Sequence, residues 1–246
     1  MPMPAAPSPR LDARPLYRQV EDILIGRIVG GDWPPGHALP SEPELAAELG
    51  VSQGTVRKAL AGLEQRHLIE RRQGRGTTVS RHTSETARYA FFRVRDLSGR
   101  AVVSRIQVVS CLPGQAESGE AALLGLPEGA PVIRLRRIRS LDGSPRIFER
   151  CTLSAAIFPG FALQHGELAT ELYVLFQRTH GVTIARAEEE LSAVPADAET
   201  AAALGKPEGT PLLMVQRIAY DVADRAVEVR LSMIDTERHR YAVSLD

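Results

Sequence analysis

Two sets of side chains in this 246-residue chain have the types and spacing to do chemistry. One is Arg137 and Arg139, alternate residues of a short segment, with Glu149 twelve positions after the first. Guanidinium forks grip carboxylate or phosphate oxygens two at a time, and a carboxylate beside them either pairs with an Arg or accepts from a hydroxyl or amine. The other is Ser52, Gln53, Gly54, Thr55, Arg57 and Lys58: hydroxyls, an amide and two cations within seven positions. Such groups suit base edges and phosphates, and Gln pairs most naturally with adenine N6 and N7. Bond-making chemistry is less visible. Ser110 beside Cys111 is no triad, and the six His, with Cys111 and Cys151, sit in no metal-ligand or disulfide pattern. Lys58 and Lys206 are the only lysines, which leaves a pyridoxal-type domain without support. No catalytic residue, metal or cofactor is expected.

The second set needs an element to present it. Leu39–Val79 reads as helix, tight turn, helix and a β-ribbon with Gly74 and Gly76 at its tip. Ser41 and Glu44 form a capping box, Gly50 ends that helix, and Ser52 caps the next. Leu45, Leu49, Val51, Val56, Leu60 and Leu63 share an apolar face at helical spacing. Ser52 to Lys58 therefore stand at the N-terminal end of the second helix, the end a helix-turn-helix offers to the major groove. The chain as a whole has 30 basic and 30 acidic residues. Between Val51 and Arg81, however, seven basic residues (Arg57, Lys58, Arg66, Arg71, Arg72, Arg75, Arg81) meet only Glu64 and Glu70. That local surplus is what a phosphate backbone requires.

The first set lies in a strand-rich half. Strands are expected at Ile106–Cys111, Pro131–Leu141, Arg146–Leu153 and Thr183–Val194, followed by three more to the C-terminus. Helices are expected at Glu117–Gly125, Ala169–His180 and Ala198–Gly205. Hairpins interspersed with helices give an α+β domain on an antiparallel sheet. The half also repeats itself: Glu120–Arg139 and Thr200–Ala219, offset by 80, are identical at ten of twenty positions, including both Pro-Glu-Gly turns. Two similar halves about a pseudo-twofold axis would leave a crevice for a ligand, or simply build a symmetric sheet. Strand parity puts Ile133, Leu135, Arg137 and Arg139 on one face, with both Arg at the margin of a buried surface. Such charges need a carboxylate, for which Glu149 is placed, or an anionic ligand.

The chain is therefore expected to be a tail over residues 1–12, a DNA-binding domain over 13–80, a linker over 81–89 and a second domain over 90–246. MPMPAAPSPR has no apolar core of a signal peptide, and no apolar run approaches the roughly 20 residues of a membrane span. A cytoplasmic protein without a membrane partner is expected.

Pro15–Val79 resembles the winged helix-turn-helix of the GntR family of bacterial transcription regulators. PLYRQV, PPGHALPSE, ELAAELGVS, TVRKAL and RRQGRGTTV carry the resemblance. It implies that Ser52, Thr55 and Arg57 touch DNA and that Gln73, Gly74 and Arg75 form a wing tip near the minor groove. Pro43 and Gln53 stand where the family commonly has Arg, so the operator preference does not transfer. Phe91–Leu245 is similar to the effector-binding UTRA domain of the HutC subfamily, which shares a fold with chorismate lyase. RRIRSLDGSPRIFERCTL, FPGF, Ala185–Leu191 and ALGKPEGTPLLMVQRIAYD carry this part. In relatives an Arg-x-Arg and a later Glu hold the effector, which implies Arg137, Arg139 and Glu149 here. Near the end, MIDTERHRY spaces Asp235 and Tyr241 differently from relatives. The combined expectation is a homodimeric repressor on palindromic double-stranded operator DNA, modulated by a small carboxylate or phosphate metabolite. A lyase-like enzyme acting on a small carboxylic acid is the alternative.

Overall fold

The computed structural model describes residues 14–66, 68–72, 76–81, 92–164, 166 and 171–244. It divides into two compact units, Met1–Ser80 and Arg81–Asp246. Residues 1–12, the ribbon tip Gln73, Gly74 and Arg75, and residues 82–89 of the expected linker lie outside the described residues.

The first unit contains α1 (Leu16–Val29), α2 (Glu42–Leu49), α3 (Gln53–Gln65), β1 (Ile69–Arg72) and β2 (Gly76–Val79). Ser41 Oγ accepts from the Glu44 amide while the Glu44 carboxylate accepts from the Ser41 amide, closing the capping box. Gly50 stops α2 with φ +64°, a left-handed turn that L side chains adopt only at a cost. Ser52 then caps α3 through the Thr55 amide at 3.1 Å. Leu45, Val56, Leu60 and Leu63 are buried, as are Val20 and Leu24 of α1 and Leu68 and Ile69, while Leu49 and Val51 are half-buried. A Cβ at Gly62 would lie 2.3 Å from the Glu21 carboxylate, so that glycine seats α3 against α1. The β1–β2 ribbon is antiparallel, and His37 and Leu39 extend it by bonding to Val79 and Thr77.

The second unit carries one six-stranded antiparallel sheet in the order β4-β5-β6-β9-β8-β7. The first half supplies β4 (Ser104–Gln115), α4 (Ser118–Leu124), β5 (Pro131–Leu141) and β6 (Ser144–Ser154). The second supplies α5 (Leu172–His180), β7 (Ile184–Pro195), α6 (Ala198–Leu204), β8 (Pro211–Asp221) and β9 (Ala226–Ile234). β4, α4 and β5 recur as β7, α6 and β8 at an offset of 80 residues, with β6 and β9 meeting at the centre. The duplicated sequence is therefore a duplicated fold around an axis between those two strands. Asp142 and Gly143, both at positive φ, make the tight turn from β5 to β6, as two-residue hairpins demand. A separate ribbon pairs β3 (Val94–Asp96) with β10 (His239–Tyr241).

Each sheet face buries its own core. Phe148, Leu212 and Met233 pack with Ala201 and Leu204 of α6, and Val132 and Val229 pack with Ala121 and Leu124 of α4. On the other face Leu135, Cys151 and Leu153 pack with Phe158, Phe161 and with Tyr173 and Phe176 of α5. Val94 of the small ribbon packs there against Leu141, Ile147, Val215 and Ile234. Arg137 and Arg139 belong to this second face.

Candidate functional site

In the first unit, α3 begins with Ser52, Gln53 and Gly54 exposed. Thr55 is half-buried, its hydroxyl 2.9 Å from Ser52 Oγ. The Arg57 side chain is 66 % exposed, yet its Nε donates to Glu42 at 3.0 Å. Glu42 also draws Arg71 to 3.5 Å, so one carboxylate holds a helix cation and a ribbon cation together. Lys58 sits 4.0 Å above the Tyr17 ring of α1, a cation–π contact the sequence did not reveal. Ser52, Gln53, Gly54, Thr55, Arg57 and Lys58 thus share the start of one helix. Gln73, Gly74 and Arg75 lie outside the described residues.

The second unit places Arg137, Arg139 and Glu149 together. Arg137 faces Glu149 directly across β5 and β6 and donates its Nη2 to it. The sequence expectation of charges at the margin of the buried surface is corrected, because Arg137 is 0 % and Arg139 1 % exposed. Parity gave the right face. What it could not give is the cover, α5 and the β3–β10 ribbon, which closes over the row. Burial alone would raise the Glu149 carboxyl, but Arg137, Arg139, Arg230 and Arg217 outweigh it and hold the group well below the usual carboxylate range.

Over this row opens a cavity of about 560 Å³, counting the open space at its mouth. Arg139, Glu149 and Ile147 from the first half line it with Val215, Arg217 and Arg230 from the second. Arg137 does not reach its wall. It lies beneath, and its Nε and Nη1 have no hydrogen-bond partner among the described residues. Arg139 donates Nη1 to Ser104 Oγ at 2.8 Å and both Nη atoms to Glu171 at 3.0 and 3.2 Å.

Several wall residues were not singled out from the sequence. Arg217 donates to Glu189, which also accepts from the Tyr241 hydroxyl. Arg230 donates to Glu228 at 2.6 and 2.9 Å and stands 3.7 Å from Glu149. The repeat offers a signal for Arg217, which aligns with Arg137, and strand parity offers one for Arg230. Glu171 carries no motif signal, while Tyr173 lies on the buried face of the helix expected over Ala169–His180. Tyr241 reaches the wall from the C-terminal strand β10. Cys151 is no nucleophile here, since burial pushes its thiol up to about 12. Among the described residues no cluster of His, Cys, Asp and Glu fits a metal ion, and no helix is long and apolar enough to cross a membrane.

Fold and sites together describe a helix-turn-helix with a β-ribbon, joined in one chain to a unit with a charged pocket. Comparison with known proteins agrees. Residues 16–79 match the family of bacterial regulatory proteins called gntR, and residues 99–240 match the UTRA domain. The histidine utilization repressor of Pseudomonas putida is 30 % identical, covering 92 % of this chain and 90 % of the relative. The HTH-type transcriptional repressor NagR of Bacillus subtilis is 28 % identical over 94 % of this chain and 95 % of its own length. The crystal structure of PhnF from Mycobacterium smegmatis superposes with a TM-score of 0.54 at 27 % identity, covering 94 % of this chain and 99 % of that one. The chain belongs to the GntR family of transcription regulators, as a member with a HutC-type UTRA effector domain. It is a DNA-binding regulator, not an enzyme, and the lyase-like alternative is set aside.

Proposed function

We propose that the chain is a cytoplasmic, homodimeric repressor of a palindromic operator, controlled by a small metabolite bearing a carboxylate or phosphate. In this reading residues 13–80 bind DNA, residues 81–89 link, and residues 90–246 bind effector and dimerise. Ser52, Gln53, Gly54, Thr55, Arg57 and Lys58 read or clamp the major groove, with Gln73, Gly74 and Arg75 at the minor groove. Gly54 supports it: a Cβ there would meet only Ser52 Oγ at 3.8 Å, so nothing within the unit requires glycine. Glycine is a poorer helix former than Ala, and close approach of a phosphate to the first turn is a reason to accept it there. The exposed Arg57–Glu42 pair contributes at most about 1 kcal/mol, so Arg57 can leave it for a base edge cheaply.

The observation that carries the effector assignment is Arg139, buried yet lining a cavity, its two Nη atoms holding a carboxylate, that of Glu171, in two parallel bonds. A carboxylate or phosphate fits that fork, while Glu149 accepts from a hydroxyl or amine of the same ligand, and Arg137 keeps Glu149 ionised and in place. Relatives are named for histidine utilization and for a mannosyl-D-glycerate system, so the effector class rests on this chemistry and not on their names. The edge strands β4 and β7, with Leu112 and Leu191 exposed, offer the apolar surface and open backbone a dimer contact needs.

Operator titration tests both halves. Arg57→Ala should weaken operator binding by about 1–3 kcal/mol and reduce its salt dependence. Arg139→Ala should keep operator affinity and lose the response to carboxylate and phosphate metabolites that shift the wild type. Unchanged affinity in the first variant would remove Arg57 from the DNA face. An unchanged response in the second would move the effector elsewhere.

A further inference from the structure

The fork of Arg139 is already occupied. Glu171 Oε1 accepts from Nη1 at 3.0 Å and Oε2 from Nη2 at 3.2 Å, the two parallel bonds that a bound carboxylate would make. Glu171 is the residue preceding α5, where side chains commonly cap the helix, yet it makes no cap bond. Its carboxylate is turned to the pocket instead, of which it forms part of the wall. Burial would raise that carboxyl, but the charge and hydrogen bonds of Arg139 hold it below the usual range.

Charge accounting gives the occupation a meaning. Arg137, Arg139, Arg217 and Arg230 face Glu149, Glu171, Glu189 and Glu228, four cations against four anions, with half-buried Arg93 at the wall besides. With Glu171 in place the four pairs of this cluster balance, and Arg93 is the one further charge among the lining residues. With Glu171 withdrawn the balance of the four pairs is lost, and the added positive charge in a buried setting is one an anionic ligand cancels. Glu149 is not equally free to leave, being enclosed by Arg137, Arg139 and Arg230.

We infer that Glu171 is the chain's own occupant of the oxyanion subsite, and that the effector binds Arg139 by displacing it. The inference rests on the reading that Arg139 holds the effector's oxyanion. It adds the exchange of one carboxylate for one oxyanion. It follows that a neutral ligand in this subsite would leave the Nη fork of Arg139 without an anion, with only Glu149 at 3.6 Å from its Nε. A competing internal ligand lowers apparent affinity by the fraction of time it holds the fork, and its removal restores the intrinsic value.

Calorimetric titration of the full chain with inorganic phosphate tests this with four proteins: wild type, Glu171→Gln, Arg139→Ala and the double variant. Phosphate should bind Glu171→Gln about tenfold or more tightly than wild type, and the double variant should lose that gain. Glu171→Asp, which keeps the charge but is too short to span both Nη atoms, should also bind tighter than wild type, and it serves should the Gln variant not fold. Equal affinities for wild type and the Glu171 variants, with binding lost in Arg139→Ala, would overturn the displacement and leave the Arg139 reading standing. Unaltered phosphate binding in Arg139→Ala, or none in any of the proteins, would overturn both.

Discussion

The two halves of the effector unit share a backbone and differ in their charges. In the first, Arg137 faces Glu149 across neighbouring strands. At the matching place in the second, Arg217 faces Arg230. Like charges directly opposite destabilise a sheet, so each of these two must find a carboxylate elsewhere. Arg217 takes Glu189 from the edge strand β7, and Arg230 takes Glu228 two residues along its own strand and leans toward Glu149 across the centre. Duplication built a symmetric scaffold, and a few substitutions made its central face one-sided. Glu149 thereby stands beside three arginines of the buried row, whereas Glu189 and Glu228 of the second half each pair with one. A pocket made of two unlike walls can orient an asymmetric metabolite; two like walls could not.

The largest test of that contrast removes a carboxylate from each half. Glu149→Ala leaves Arg137 and Arg139 buried with a partner lost, and breaking a buried pair costs about 3–5 kcal/mol. Glu189→Ala acts at the sheet edge, where water reaches the site, and should cost about 1–3 kcal/mol. Urea unfolding of the full chain, following the transition of the effector unit, checks the order. Equal losses would mean that the halves carry their charges alike.

Acid sharpens the same contrast. Because the Glu149 carboxyl is held below its ordinary value in the folded chain, its contribution is present above the unfolded value of about 4.3 and is lost as pH falls below it. Arg230, its counterpart, does not titrate in that range. The urea midpoint of wild type should therefore fall more steeply from pH 5 to pH 3 than that of Glu149→Gln. Parallel curves would assign the acid sensitivity to other carboxylates.

How much of this was legible in the letters follows from where each signal lives. The helix pair was readable because Ser41, Glu44, Gly50 and Ser52 act within a few residues of themselves, and cap chemistry needs no tertiary partner. The repeat and the shared face of Arg137 and Arg139 were readable because identity and parity survive without coordinates. The depth of those arginines was not, since it depends on α5 and the β3–β10 ribbon closing over the sheet. Glu171 was invisible for the same reason, standing 32 residues from the arginine it binds, and so was the grip of Glu42 on both Arg57 and Arg71.

The smallest difference between the halves lies at the helices that cover the opposite face. α6 begins at Asp197, whose carboxylate accepts from the Thr200 amide at 2.7 Å and from Arg150 at 2.7 Å. α4 begins at Glu117, whose longer, mostly exposed side chain reaches Arg134 at 3.1 Å, while the bond across the first turn runs from its own amide to Glu120. An Asp at the N-cap satisfies a helix amide that would otherwise go unpaired, and its loss costs about 1 kcal/mol. Asp197→Ala should therefore lower stability by about that amount. Glu117→Ala forgoes only an exposed ion pair and should cost a few tenths of a kcal/mol, since backbone and Glu120 bonds remain. The difference is resolvable in paired urea titrations at neutral pH. If the two substitutions cost the same, the helix starts are equivalent, and the asymmetry of this unit is confined to the charged face that holds the pocket.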